Sequence, residues 1–220
     1  KKYDLNMDEE ISIIDSNTRN EKIKNFFINN KKKLIIGTTI IVIGLFVYFS
    51  FSEIKERNKI KLANKFNLAK INYKENQKQI TIIELVEIIN QNDVTYSPLA
   101  LYFLLDNNLI EDNNKINKLF DELINQTNLD DEIKNLIIYK KALFNSNFTT
   151  ENNLLQILNP IINSESIWKS HTLYLLAEFF YAKGEKQKAK EFFNQILILP
   201  NSNSDIRLET QKRLNRDLGE

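Results

Sequence analysis

The run from Leu34 to Phe51, LIIGTTIIVIGLFVYFSF, carries no charge in 18 residues. As a helix it spans about 27 Å, close to the ~30 Å hydrocarbon core of a bilayer. Twelve of its residues are Leu, Ile, Val or Phe. Their summed preference for the membrane interior is on the order of 5 kcal/mol, and Gly37, Thr38, Thr39 and Gly44 subtract little from it. A cleaved secretory signal fits poorly. The run follows 33 residues, exceeds an ordinary signal core in length, and has no small-x-small site behind it. The sequence therefore predicts one transmembrane helix over 34–52. It would separate a tail, residues 1–33, from a longer C-terminal part.

Lys31, Lys32 and Lys33 abut the span on its N-terminal side, with Arg19, Lys22 and Lys24 nearby; Lys55, Arg57, Lys59, Lys61 and Lys65 follow it. The raw counts are nearly even. Long domains cross largely regardless of charge, so the unbroken lysine triplet beside the tail favours an N-terminus on the cytoplasmic side.

From Ser52 onward there are only two glycines, Gly184 and Gly219, and three prolines. Few turns can be built from those residues, and the apolar spacing is helical almost throughout. Leu62, Phe66, Ala69 and Tyr73 form one stripe, so the membrane helix is expected to continue as a rod through residues 53–80. Thr81 to Glu84 reads as a capping box opening a helix to about Asn90. Ser97-Pro98 reads as an N-cap with proline in the first turn. Further helices are expected over 113–125, 130–144, 150–159, 166–183, 185–199 and 204–216. The fold class is thus all-α, with residues 81–220 as a series of short antiparallel helices.

The last complete pair is the most informative. Leu173, Leu176, Ala177 and Phe180 lie on one helix. Gly184 turns the chain, and Ala189, Phe193 and Ile196 lie on the next. This resembles the tetratricopeptide repeat, with small residues where the helices cross and aromatic residues around them. Earlier pairs match the pattern less well: Ser146 stands where glycine is usual, and Glu151 near where alanine is expected. On this register the repeat's first helix would line a concave groove with His171, Tyr174, Glu178 and Tyr181. Two tyrosines, a histidine and a carboxylate suit a peptide partner. Trp168, just before them, reads as a packing residue.

The layout as a whole resembles the ancillary subunit of the bacterial Sec translocon, a single-pass protein with a periplasmic tetratricopeptide-like domain. The likeness rests on order. The tail has Asp8-Glu9-Glu10, then Arg19 and Glu21-Lys22, then Phe26-Phe27 before the span. A rod, the helix around Tyr96 to Ala100 and the terminal repeat follow. The resemblance implies a bacterial inner-membrane protein without enzymatic activity. It also implies protein partners: translocon subunits, periplasmic chaperones or exported clients. A structural single-pass subunit of another membrane or cell-envelope complex is the alternative.

Composition argues against several chemistries. Thirty Lys and Arg balance 29 Asp and Glu, giving a net charge of +1, without the basic excess of a nucleic-acid binder. There is no cysteine, and His171 is the only histidine, so cysteine and multi-histidine metal sites are absent. No closely spaced glycines cradle a phosphate and no G-x-S-x-G elbow occurs. Asp121-Glu122 and Asp130-Asp131-Glu132 are the remaining carboxylate pairs, and helix-dipole complementation or simple solvation accounts for them. No cofactor, metal or small-molecule substrate is expected. Gly37 and Gly44 share a face of the span that a neighbouring helix could approach. The tail from Asp8 to Asn30 is open between an amphipathic helix using Ile11, Ile14, Ile23, Phe26 and Phe27 and disorder until bound.

Overall fold

The computed structural model describes the backbone of residues 4–219 and the side chains of residues 18–219. Among the described residues there are nine helices and no strand. The chain divides into two compact units, Lys1–Lys59 and Ile60–Glu220.

The first unit is helical from Asp4 onward, as part of α1 (Asp4–Lys74). It contains a stretch long and apolar enough to cross a membrane, with none of it buried. Ile40, Phe46, Phe49 and Phe51 are 64–75% exposed, so this stretch is not packed into the chain's own core. The hydroxyls of Thr38 and Thr39 donate to the carbonyls of Leu34 and Ile35 at 2.9 and 2.8 Å, satisfying both inside the helix. Open space surrounds Gly37 and Gly44. Lys31, Lys32 and Lys33 are exposed. In the tail, Ile23, Phe26 and Phe27 are half exposed; Asp8, Glu9, Glu10, Ile11 and Ile14 lie outside the residues with described side chains.

The second unit begins within α1. Ala69 is fully buried, and Leu62, Phe66 and Tyr73 pack against the same core. The segment expected as a connecting rod over 53–80 is therefore divided: from residue 60 it belongs to the folded unit. The helices α2 (Lys78–Ile89), α3 (Tyr96–Asp106), α4 (Asn113–Gln126), α5 (Asp131–Asn145), α6 (Glu151–Ile162), α7 (Lys169–Ala182), α8 (Lys186–Ile198) and α9 (Ser204–Asp217) follow. Neighbouring helices pack as hairpins, most extensively α7 with α8, and α9 packs across both. The core falls into two clusters. Leu85, Leu101, Phe120 and Leu123 belong to the first, and Leu158, Leu176, Phe180 and Phe193 to the second. They meet on α5, where Ile137 joins the first and Ile138 the second.

Three local readings need correction. Thr81 caps nothing: it lies inside α2, fully buried, and its hydroxyl donates to the carbonyls of Ala69 and Gln77 at 3.3 and 3.0 Å. Ser97 is not the N-cap of α3. That position is Thr95, whose side chain makes no cap bond, and just before it the Asp93 carboxylate accepts from the backbone N–H of Thr95 and Tyr96 at 2.9 and 2.7 Å. The Ser97 hydroxyl instead donates to the Ile88 carbonyl at 2.8 Å and accepts from the Asp93 N–H at 2.9 Å. Both residues face the previous helix because a small side chain is needed where the backbones approach. Nor does the scarcity of glycine limit turns. Asn76, Asn92 and Asn108 take positive φ (61°, 53° and 48°), the left-handed conformation that asparagine tolerates best after glycine. At two of them a Schellman bond closes the helix, Gln77 N–H to Asn72 at 2.9 Å and Leu109 N–H to Leu104 at 3.0 Å. Pro160 lies within the last turn of α6, which runs past the expected 159 to Ile162.

Candidate functional site

The residues expected to line a groove sit on α7, whose other face is buried. Leu176, Ala177, Ala189, Phe193 and Ile196 are fully buried, Phe180 is 1% exposed and Leu173 2%. Gly184 takes φ 79° between the helices, and the Glu185 N–H closes on the Phe180 carbonyl at 2.9 Å.

His171, Tyr174, Glu178 and Tyr181 are each half-buried and do not form one open surface. His171 faces Tyr139 in the middle of α5 and Trp168 just before α7. Its ring lies 5.2 Å from Trp168 and 6.1 Å from Tyr139. Burial pushes the imidazole below its ordinary value, against a smaller opposing effect of the Ile167 backbone, and Nδ1 lacks a well-formed hydrogen bond. Trp168 stacks on Tyr139 at 6.0 Å and donates through Nε1 to the Glu132 carbonyl at 3.1 Å, a packing role.

The other three meet α9. Arg213 donates to Glu178 through Nε at 2.6 Å and a terminal nitrogen at 2.8 Å, a bidentate pair. Its guanidinium also lies 4.5 Å over the Tyr181 ring and pairs with Asp217. Bonding to Glu178 raises the arginine's pKa further, so the charge is permanent. Tyr174 packs edge-on against Phe193 at 5.5 Å and its side chain bonds Glu178. Burial foremost, with the nearby Glu178 and Glu209 charges, pushes its hydroxyl up to about 12, so it stays protonated and donates. The expected groove is thus filled on this side by the protein's own last helix. Sequence reading missed Arg213. Its i, i+4 spacing from Asp217 was visible, but the Glu178 partner 35 residues away depends on how α9 lands.

Three of the carboxylates noted in the sequence are engaged in structure. Asp121 binds Lys141 at 2.6 Å, Glu122 accepts from Asn92 at 3.2 Å, and Glu132 accepts from the Ser166 hydroxyl at 2.7 Å. Among the described residues no three His, Asp or Glu side chains are grouped as a metal site would require.

A separate cavity of about 580 Å³ opens between the C-terminal ends of α3 and α5 and the start of α4. Tyr102, Lys140 and Phe144 are among the residues lining it.

No family model, no curated protein and no solved structure matches the chain. Any functional reading therefore stands on the residues themselves.

Proposed function

We propose that this protein is a non-enzymatic, membrane-anchored scaffold for protein–protein contacts. One observation carries the reading: a fully exposed apolar helix long enough to span a bilayer lies in the same chain as a separate all-helical unit. Anchoring raises the local concentration of such a unit at a membrane partner, to roughly millimolar for a short link, so weak contacts suffice. The second unit is read as a degenerate tetratricopeptide-like solenoid. Support comes from Ala177 and Ala189, both fully buried, and from α9 packing on the α7–α8 pair as a following repeat's first helix would. In the finer form of the proposal the tail is cytoplasmic, the helical unit is periplasmic, and the partners are the Sec translocon and periplasmic chaperones. The warrants are the lysine triplet and the family resemblance.

A second reading is favoured by the covered face of α7. With Glu178 paired to Arg213 and Tyr181 beneath it, the surface expected to capture clients is occupied. A fixed structural subunit of a larger membrane complex needs no such surface.

Gentle detergent extraction of native membranes, capture through a C-terminal tag and mass spectrometry separates the two. Co-purified translocon subunits and chaperones support the scaffold. One other complex at fixed stoichiometry, without translocon, overturns it in favour of the structural subunit.

A further inference from the structure

The cavity beside α3 and α5 is lined by several polar groups that lack a protein partner. Its apolar wall includes Leu105, Ile110 and Phe144, with Leu143 and Phe148 still 48% and 50% exposed at its mouth. The Tyr102 ring forms part of the wall, and its hydroxyl is buried out of reach of solvent. The Lys140 ammonium lies 4.6 Å over the Tyr102 ring and forms no ion pair among the described residues. Asn108, Asn113 and Asn147, all exposed, stand around the cavity's rim, and among the described residues none of their side chains bonds to the protein, so their carboxamides are free to meet a ligand. Asp106 and Glu111 complete its charged lining, also without ion pairs among the described residues.

The geometry points to a binding site for an extended peptide segment that carries one large apolar side chain and a neighbouring basic residue. The volume suits one or two inserted side chains, at the low-to-middle range of ligand pockets. A carboxamide offers both donor and acceptor, matching the alternating N–H and C=O of an extended backbone. Lys140 supplies donors for peptide carbonyls. One lysine against Asp106 and Glu111 leaves the lining net negative, which disfavours a phosphate or fatty-acid carboxylate and favours a basic residue beside the apolar one. The site rests on the cavity alone and extends the scaffold reading; failure to recover the translocon would leave it standing.

The test uses the full chain in lipid nanodiscs with ¹³C-labelled Ile and Leu methyls. The probe is the capped peptide acetyl-Ser-Leu-Phe-Lys-Ser-Ser-amide. Ile110, Ile116 and Leu143 report the cavity; Leu176 and Ile196 serve as distant references. Saturable shifts confined to the first three, with affinity near about 1 mM, are expected. Replacing the peptide lysine by glutamate, or Phe148→Ser in the protein, should weaken binding roughly fivefold, the loss of one good interface contact. Phe148 is half exposed, so that variant keeps its fold, and the peptide change needs no variant. Absent shifts, or shifts at Leu176 and Ile196 instead, would overturn the site. Cavity shifts with 4-phenylbutyrate but not with the peptide would overturn the peptide assignment and make the cavity a small-acid pocket.

Discussion

The α7–α8 hairpin and the α2–α3 hairpin meet the same packing requirement with different chemistry. Where α7 and α8 approach, Ala177 and Ala189 are fully buried among apolar neighbours, and Gly184 makes the turn. Where α1, α2 and α3 approach, Thr81 and Ser97 are fully buried, and Asn92 with Asp93 makes the turn between α2 and α3. The close approach demands small volume, not apolarity. A hydroxyl is accepted because it reaches the carbonyl of the preceding helix, Ala69 for Thr81 and Ile88 for Ser97. A hydroxyl without that partner would cost about 1–3 kcal/mol.

If the two clusters are distinct packing units, the largest effect comes from emptying one. Phe193→Ala removes a fully buried ring and should cost about 3–5 kcal/mol. Hydrogen exchange on the full chain should then show α7 and α8 losing protection before α2 and α3. Phe120→Ala, in the other cluster, should reverse that order. Equal loss in both halves for either variant would mean that Ile137 and Ile138 join one cooperative core. Next comes the hydroxyl itself. Ser97→Ala leaves the Asp93 N–H without its acceptor and should cost about 2 kcal/mol in urea denaturation. A neutral Ser97→Ala would show that size alone is wanted there and would erase the contrast with Ala177.

Arg213→Leu probes the seal between α9 and α7. It leaves Glu178 with the Tyr174 hydroxyl alone and uncovers Tyr181, and since Glu178 stays 35% exposed the cost should be nearer about 1.5 kcal/mol than a buried pair's loss. Faster proteolysis within α9, with α7 and α8 intact, would mark the local opening; unchanged cleavage would mean Leu214 and Ile206 hold the helix without the ion pair. On the opposite end of α7, His171 gives a pH signature. Its folded pKa lies below the ordinary 6.5, so the unfolded chain binds the proton more readily. This contribution is fully present above pH 6.5 and is lost as pH falls below it. Thermal melts of the wild type should decline over that window more steeply than those of His171→Gln. Parallel curves would remove His171 from the account.

Helix positions were legible because they depend on local period. The expected 113–125 and 204–216 became Asn113–Gln126 and Ser204–Asp217. The stripe Leu173, Leu176, Ala177 and Phe180 was readable for the same reason. What the sequence concealed was the identity of partners. Asn117 and Asn145 exchange reciprocal carboxamide bonds of 2.9 and 2.8 Å between α4 and α5, yet each reads alone as an exposed polar residue. Glu178 and Tyr181 looked like an open binding face until Arg213 arrived from α9. Thr81 and Glu84 satisfied the spacing of a capping box, but α2 begins earlier, at Lys78, and overrode it. The cavity escaped notice because its lining comes from the ends of three helices, where no periodicity runs.

The smallest effects concern the turns, and they test whether asparagine in the first cluster substitutes for the glycine of the second. A Cβ added at Gly184 would meet open space, so Gly184→Ala brings no clash and costs only the left-handed backbone, about 1 kcal/mol. Gly184→Asn should cost less, since asparagine reaches that region more easily. In the other direction, Asn76→Gly should be close to neutral or stabilise by a few tenths of a kcal/mol, the eased left-handed geometry offset by a freer unfolded chain. Asn108→Gly should do the same for the fold while removing one carboxamide from the cavity, so its stability and its peptide affinity should separate. Thermal or urea melts of the four variants measure these differences side by side. If Asn76→Gly and Asn108→Gly both destabilise by as much as Gly184→Ala, the asparagine side chains hold those turns themselves, and the two hairpins differ in their turns as well as in their crossings.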